Sequence, residues 1–125
     1  MNTKEKGNIG IASAILYYTQ NRNTVSIPLN DSQNYDLVVD IDTFLYKVQV
    51  KFTASKAESG NYVVSLRSIS GSSRQEYSTL KDTDVDILFI VTDSGLLVEI
   101  PVIDINQKSM LTLTNDIINK YSVKI

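Results

Sequence analysis

The 125-residue chain contains no cysteine and no histidine. Without cysteine there is no disulfide frame and no thiolate metal site. Without histidine there is no imidazole base, no usual zinc ligand and no Ser-His or Cys-His nucleophile system. Any catalysis must use carboxylates, lysine, tyrosine, amides and a metal that accepts oxygen ligands, a description that magnesium fits best. No run of eighteen apolar residues occurs, so no membrane span is expected. The opening MNTKEKGNIG lacks a long apolar stretch and does not read as a secretory signal. A cysteine-free chain is compatible with a reducing cytoplasm, and that location is the expectation.

What is present is enough for one core. Hydrophobic residues make up 42% of the chain, and the length suits a single domain spanning 1–125. The net charge is -2, which is not that of a general nucleic-acid binder, but the charge is unevenly spread. Lys47, Lys51, Lys56, Arg67, Arg74 and Lys81 fall in one stretch with Glu58 and Glu76 as its acids. From Asp82 to Asp116 the balance reverses, with Lys108 the lone base among Asp82, Asp84, Asp86, Asp93, Glu99, Asp104 and Asp116. A basic stretch on an acidic protein can hold phosphates; it can equally be solvated surface.

The periodicity sets out an α+β chain. Ile11, Ala14, Ile15 and Tyr18 share a helical stripe within residues 8–20, with Asn8 as a plausible cap. TVSIPL (24–29) and YDLVVD (35–40) read as strands. The turn IDTF leads to a third, LYKVQVKFT (45–53). In that third strand Tyr46, Val48, Val50 and Phe52 alternate strictly with Lys47, Gln49, Lys51 and Thr53, which predicts a hairpin with one polar face. NYVVSLR (61–67) reads as a further strand, and SISGSSRQEYS as an exposed loop. VDILFIVT (85–92) is a continuous apolar run of strand length, expected to be buried on both faces. Asp93-Ser94-Gly95 signals a hairpin turn. LLVEIPVI, MLTLT and a short helix at NDIINKY close the chain.

Three polar residues on the predicted hairpin suggest chemistry. Gln49 and Lys51 are two apart on one strand, so their side chains share a face about 7 Å apart, and Asp36 lies on the strand before. Hydrolysing a phosphodiester calls for a metal that polarises the phosphate and lowers the pKa of a water. Asp36 could hold such an ion, the Gln49 amide oxygen could be a second ligand, and Lys51 could stabilise developing negative charge. The bland alternative is a solvated sheet face. Asp40 shares parity with Asp36 but lies about 13 Å along the strand, too far to share an ion, and reads with Asp42 as the start of the turn.

NYDLVVD followed by LYKVQVKFT resembles the motif of the PD-(D/E)XK nucleases, in the branch with Gln in place of the motif acid, which includes homing endonucleases encoded in bacterial group I introns. KGNIGIASAILYYTQ, TVSIPLNDSQNYDLVV, NYVVSLR and VDILFIVT look like that branch in order and spacing, over roughly residues 6 to 103. The resemblance implies a restriction-endonuclease-like core, a central mixed sheet flanked by helices. It implies Mg2+-dependent cleavage of double-stranded DNA (Mn2+ as substitute) at a specific site, as in intron homing. It makes Asp36, Gln49 and Lys51 the catalytic set, with Asp36 and Gln49 on the metal. The family commonly has a Glu where Ile11 stands, after the glycines matching Gly7 and Gly10. Two readings of Ile11 follow: a missing ligand, or an ordinary member of the helix's apolar stripe. Lys56, Arg67, Arg74 and Lys81 are the expected DNA contacts. A double-strand break needs two such sites, so a homodimer or homotetramer is expected, assembled through the acidic, apolar half from Asp82 to Ile125. The alternative is a nuclease-fold DNA-binding module that has lost cutting.

Overall fold

The protein is described here from a computed structural model covering residues 1–30, 32–69, 77–80 and 83–125. Its first element, helix α1 (Thr3–Gln20), begins ahead of the expected Asn8. The reason is a reciprocal cap. The Glu5 N–H donates to Asn2 Oδ1 at 2.9 Å, and the Asn2 N–H donates to Glu5 Oε1 at 3.4 Å. This pair satisfies two of the amide groups that a helix start leaves orphaned. Asn8 lies inside the helix, exposed.

Strands β1 (Thr24–Ser26), β2 (Leu37–Ile41) and β3 (Phe44–Thr53) follow. The β2–β3 hairpin closes through Asp42 and Thr43, both at positive φ, +52° and +75°. A two-residue loop needs that conformation to match strand twist, and a β-branched Thr adopts it only under strain. Asp40 lies within β2 and not in the turn. The expected strand 61–67 is two short strands, β4 (Val63–Ser65) and β5 (Arg67–Ile69), separated at Leu66. The expected loop after it contains β6 (Tyr77–Thr79), antiparallel to β5. The chain continues with β7 (Ile87–Thr92), β8 (Leu97–Pro101), a 3-10 turn at Val102–Asp104, β9 (Met110–Thr112), α2 (Asn115–Tyr121) and β10 (Ser122–Val123).

The main sheet runs β1-β2-β3-β7-β8-β10. It is mixed: β3 and β7 are parallel, while β7–β8 is a tight antiparallel hairpin with Gly95 at φ +88°. Both faces of this sheet are covered. On one, α1 buries Ala14 and Tyr18 against Leu37, Val39, Val48 and Phe89. On the other, Leu88, Ile90, Val98 and Ile100 pack with Val64, Leu66, Leu80, Leu111 and Leu113, and α2 adds Ile117, Ile118 and Tyr121. All six residues of β7 are buried, as its unbroken apolar run predicts. Each fully buried side chain of this kind contributes about 1.5–3 kcal/mol relative to exposure. The expected polar face of β3 is partly covered as well: the Thr53 hydroxyl donates to the Val63 carbonyl of β4 at 2.7 Å and Lys51 is half-buried. Among the described residues no helix is long and apolar enough to cross a membrane.

One polar pair is built into the helix side. Tyr18, 1% exposed, donates its hydroxyl to Glu99 Oε2 at 2.5 Å. Burial first, and the Glu99 charge second, hold the Tyr18 pKa above its ordinary value.

Candidate active site

The site grows out of a fork in the sheet. β2 and β3 are paired only from Leu37–Val48 to Ile41–Phe44. Beyond that, β3 keeps β7 on one edge, through Thr53, and has no paired strand on the other among the described residues. Asp36 sits where the two strands part. Its backbone N–H donates to the Val48 carbonyl at 2.8 Å. Its Oδ2 accepts from the Val50 N–H at 2.7 Å. That amide is the first on β3 to lose a strand partner, and a short acidic side chain at this position caps the open edge.

Strand parity then decides which groups meet. Leu37 and Val48 are partners and both face the helix-side core. Asp36 and Gln49, each one residue removed, face the other way, and so does Lys51. Across β3, Gln49 pairs with Leu88 and Lys51 with Ile90, which carry the second core. Gln49 is 8% exposed and Lys51 half-buried. The Lys51 Nζ reaches the Arg67 carbonyl at 3.5 Å.

Burial perturbs both charges. It raises the Asp36 carboxyl pKa above 3.8, against the Val50 N–H and Lys51, which lower it. It lowers the Lys51 pKa from 10.5, against Asp36, which raises it. Both groups are pushed toward their neutral forms, as happens where desolvation outweighs mutual attraction. Shifts of this kind, in neighbouring groups, are enriched at functional sites and also arise in structural charge networks.

The other expected residues are placed as follows. Ile11 is half-buried and packs with the helix-side core, across the sheet from the face that carries Asp36, Gln49 and Lys51. Its neighbour Gly10 lies against the open stretch of β3: a Cβ there would meet Val50 Cγ1 at 3.3 Å and Phe52 Cβ at 3.7 Å, so a larger residue would make Val50 give by a few tenths of an ångström. Arg67 is exposed. Lys56 is exposed, its Nζ 4.9 Å from the centre of the Tyr62 ring. Arg74 and Lys81 lie outside the described residues. Lys47 is engaged elsewhere: its Nζ pairs with Asp84, its backbone N–H donates to Asp86 Oδ2 at 2.8 Å, and it lies over the Tyr35 ring.

Sequence reasoning did not find the cleft beyond Lys51. Its volume is ≈ 320 Å³, and Lys51, Thr53, Ser55 and Ser65 supply its polar walls. Thr53 continues the parity of Gln49 and Lys51, and that was the available signal. A larger cavity, ≈ 730 Å³, opens on the helix side between Ile9, Phe52, Val91 and Leu97. It contains none of the three polar residues, and size alone gives it no chemistry.

As to metal, Asp36 offers a carboxylate with about four lone-pair positions, one of them taken by Val50. Gln49 adds a neutral oxygen on the same face. No group of three acidic or other strong metal-ligating side chains occurs among the described residues. A hard ion that keeps several waters and shares substrate phosphates suits so sparse a donor set; a fully protein-caged ion does not.

The six-stranded mixed sheet thus carries a carboxylate at the strand fork and a half-buried lysine on the adjoining strand. Residues 1–122 match the family model of the PD-(D/E)XK endonucleases, and the chain belongs to that family. Among solved structures it is similar to the bacterial homing endonuclease I-Ssp6803I, with a TM-score of 0.78 and 32% sequence identity, covering 92% of this chain and 80% of that one. No curated protein matches it.

Proposed function

We propose that the protein is a Mg2+-dependent endonuclease that cleaves double-stranded DNA at a specific site, in the manner of a homing endonuclease acting in a bacterial cytoplasm. The observation that carries this reading is the fork: Asp36, Gln49 and Lys51 on one sheet face, with the charges of Asp36 and Lys51 both strained by burial. Asp36 and the Gln49 amide oxygen are the residues that would hold such an ion, and the chemistry it would supply is polarisation of a phosphate and a lowered pKa for a water. Lys51 places a cation beside the scissile phosphate, and its depressed pKa lets it exchange a proton nearer neutrality than a solvated lysine does. Arg67 and Lys56 meet flanking phosphates, while Arg74 and Lys81 are proposed as contacts from sequence alone. A homodimer or homotetramer brings two forks to one duplex. Ile103, 83% exposed, and Phe44, 66% exposed, are apolar side chains left for such an assembly.

The second reading is a DNA-binding module with weakened cutting. It is favoured by Ile11, which contributes an apolar side chain to the core where the family commonly has Glu, leaving Asp36 as the single carboxylate. A plasmid-nicking assay with Mg2+, with Mn2+ and with a chelator separates the two. Cleavage that needs the ion, and that falls about 100-fold or more in Lys51→Ala, supports the enzyme. Metal-independent DNA retention with no nicking in either divalent ion supports the binding module.

A further inference from the structure

The cleft beyond Lys51 has a lining of one sign. Lys51, Thr53, Ser55 and Ser65 are its polar residues, and Phe52, Val63, Val64 and Met110 complete it; no carboxylate is among them. An ammonium and hydroxyls can donate to an acceptor-only ligand, whereas a cationic ligand would find no counter-charge. The floor is fixed in place. Thr53, 7% exposed, donates its hydroxyl to the Val63 carbonyl at 2.7 Å and accepts from the Ser55 N–H at 3.2 Å. The Val63 N–H in turn donates to the Ser55 carbonyl at 3.0 Å. The end of β3 is thereby clamped to β4. Ser65 and Met110 are cross-strand partners on β4 and β9 and stand together as the far wall. Met110 is 51% exposed, so its thioether is open to a ligand at the mouth of the cleft.

We propose that this cleft is a subsite for the nucleotide next to the scissile bond, with its flanking phosphate held by the Ser55 and Ser65 hydroxyls and its sugar and base edge laid on Val63 and Met110. The inference rests on the nuclease reading above and adds a second phosphate position to it. The volume of ≈ 320 Å³ exceeds what one phosphate needs and suits a phosphate with part of a nucleoside. The Lys51 ammonium, which lines the cleft beside the fork, draws an anion to the boundary between the two. One lysine thus faces both phosphates, and the serines distinguish a chain of nucleotides from a single one.

The test is an NMR titration of the full chain with thymidine 3′,5′-bisphosphate, thymidine 5′-monophosphate and inorganic phosphate. The bisphosphate should shift Lys51 and also the Met110 methyl and the Ser55 and Ser65 amides. It should bind about tenfold tighter than the monophosphate, the scale of one or two hydrogen bonds to a charged acceptor. Ser55→Ala/Ser65→Ala should abolish that preference while keeping the monophosphate shift at Lys51. Ser55→Thr/Ser65→Thr should restore it, which a merely structural role would not require. A Lys51 response without any at Met110, or a preference that survives the double alanine change, overturns the subsite alone. No nucleotide response at Lys51 overturns the subsite together with the nuclease reading. Inorganic phosphate binding as tightly as the bisphosphate overturns the nucleotide assignment in favour of a free-anion site.

Discussion

Asp36 and Lys51 should weaken the fold that carries them. In both, burial is the leading influence on the pKa, and in both it disfavours the charge. Replacing only Asp36 with Asn relieves one desolvation cost but strips Lys51 of its nearest counter-charge. Asp36→Asn/Lys51→Met removes both charges, keeps an oxygen for the Val50 N–H and leaves an apolar stem against Ile90. Replacing charges that burial disfavours by neutral groups of similar size is often stabilising, by about 1–4 kcal/mol where the charges are fully buried. The lower half of that range applies here, because both side chains keep some exposure. About 1–2 kcal/mol corresponds to a Tm higher by roughly 3–8 °C in a domain of this size. The sign can be checked by pH. A carboxyl whose folded pKa is raised favours folding at low pH and loses that contribution as pH climbs through its folded value. A lysine whose folded pKa is lowered costs stability below that value and stops doing so as pH approaches 10.5. The gap between the double variant and the native chain is therefore widest near neutrality. It narrows on acidification toward 3.8 and on alkalinisation toward 10.5. Calorimetry across that range is the assay. A double variant that melts below the native chain at pH 7 would refute the reasoning.

Three further expectations can be checked by melts and binding. Ile11→Glu places a charge against the helix-side core and should lower stability by about 1–2 kcal/mol; an unchanged or higher Tm would mean that the new carboxylate escapes to solvent and that Ile11 contributes little to the core. Tyr18→Phe leaves Glu99 without its buried donor and should cost about 1–3 kcal/mol in a urea unfolding curve, so a curve that overlays the native one would discount that bond. Arg67→Ala should weaken binding to all duplexes alike and reduce the salt slope by about one; a loss confined to one sequence would make Arg67 a base reader instead.

Much of this was legible before any coordinates. The strict alternation of β3 puts Gln49 and Lys51 on one face, and the apolar run of β7 identifies a strand buried on both sides. The family resemblance is borne out over 1–122. What stayed hidden was non-local or subtle. The polar face of β3 reads as solvated because nothing in residues 44–53 announces that β4 will lie against it; burial on that face is what lowers the pKa of Lys51. The start of α1 was misplaced because Gly7 and the charged residues before it interrupt the apolar stripe, although Asn2 and Glu5 carry the capping signal. Strands of two or three residues, such as β6 and β10, are too short for any period to show. Ser55 and Ser65 look like loop and strand-edge residues until the Thr53 clamp brings them beside Lys51.

The parallel pairing of β3 with β7 also bears on how the chain folds. Asp36, Gln49 and Lys51 lie within one local hairpin, which can close early because its loop is only two residues long. β7 joins that hairpin from 39 positions away, the separation of Lys47 and Asp86, and long-range parallel pairing closes slowly because loop entropy is lost before contacts repay it. A hairpin on its own would expose Asp36 and Lys51 to water with ordinary acidities. Only when β7 has paired and β4 lies against the polar face of β3 does burial shift the charges of Asp36 and Lys51. The shifted acidities of Asp36 and Lys51 are thus tied to long-range pairing, and a chain still emerging from synthesis would hold both groups with solvent-like acidities.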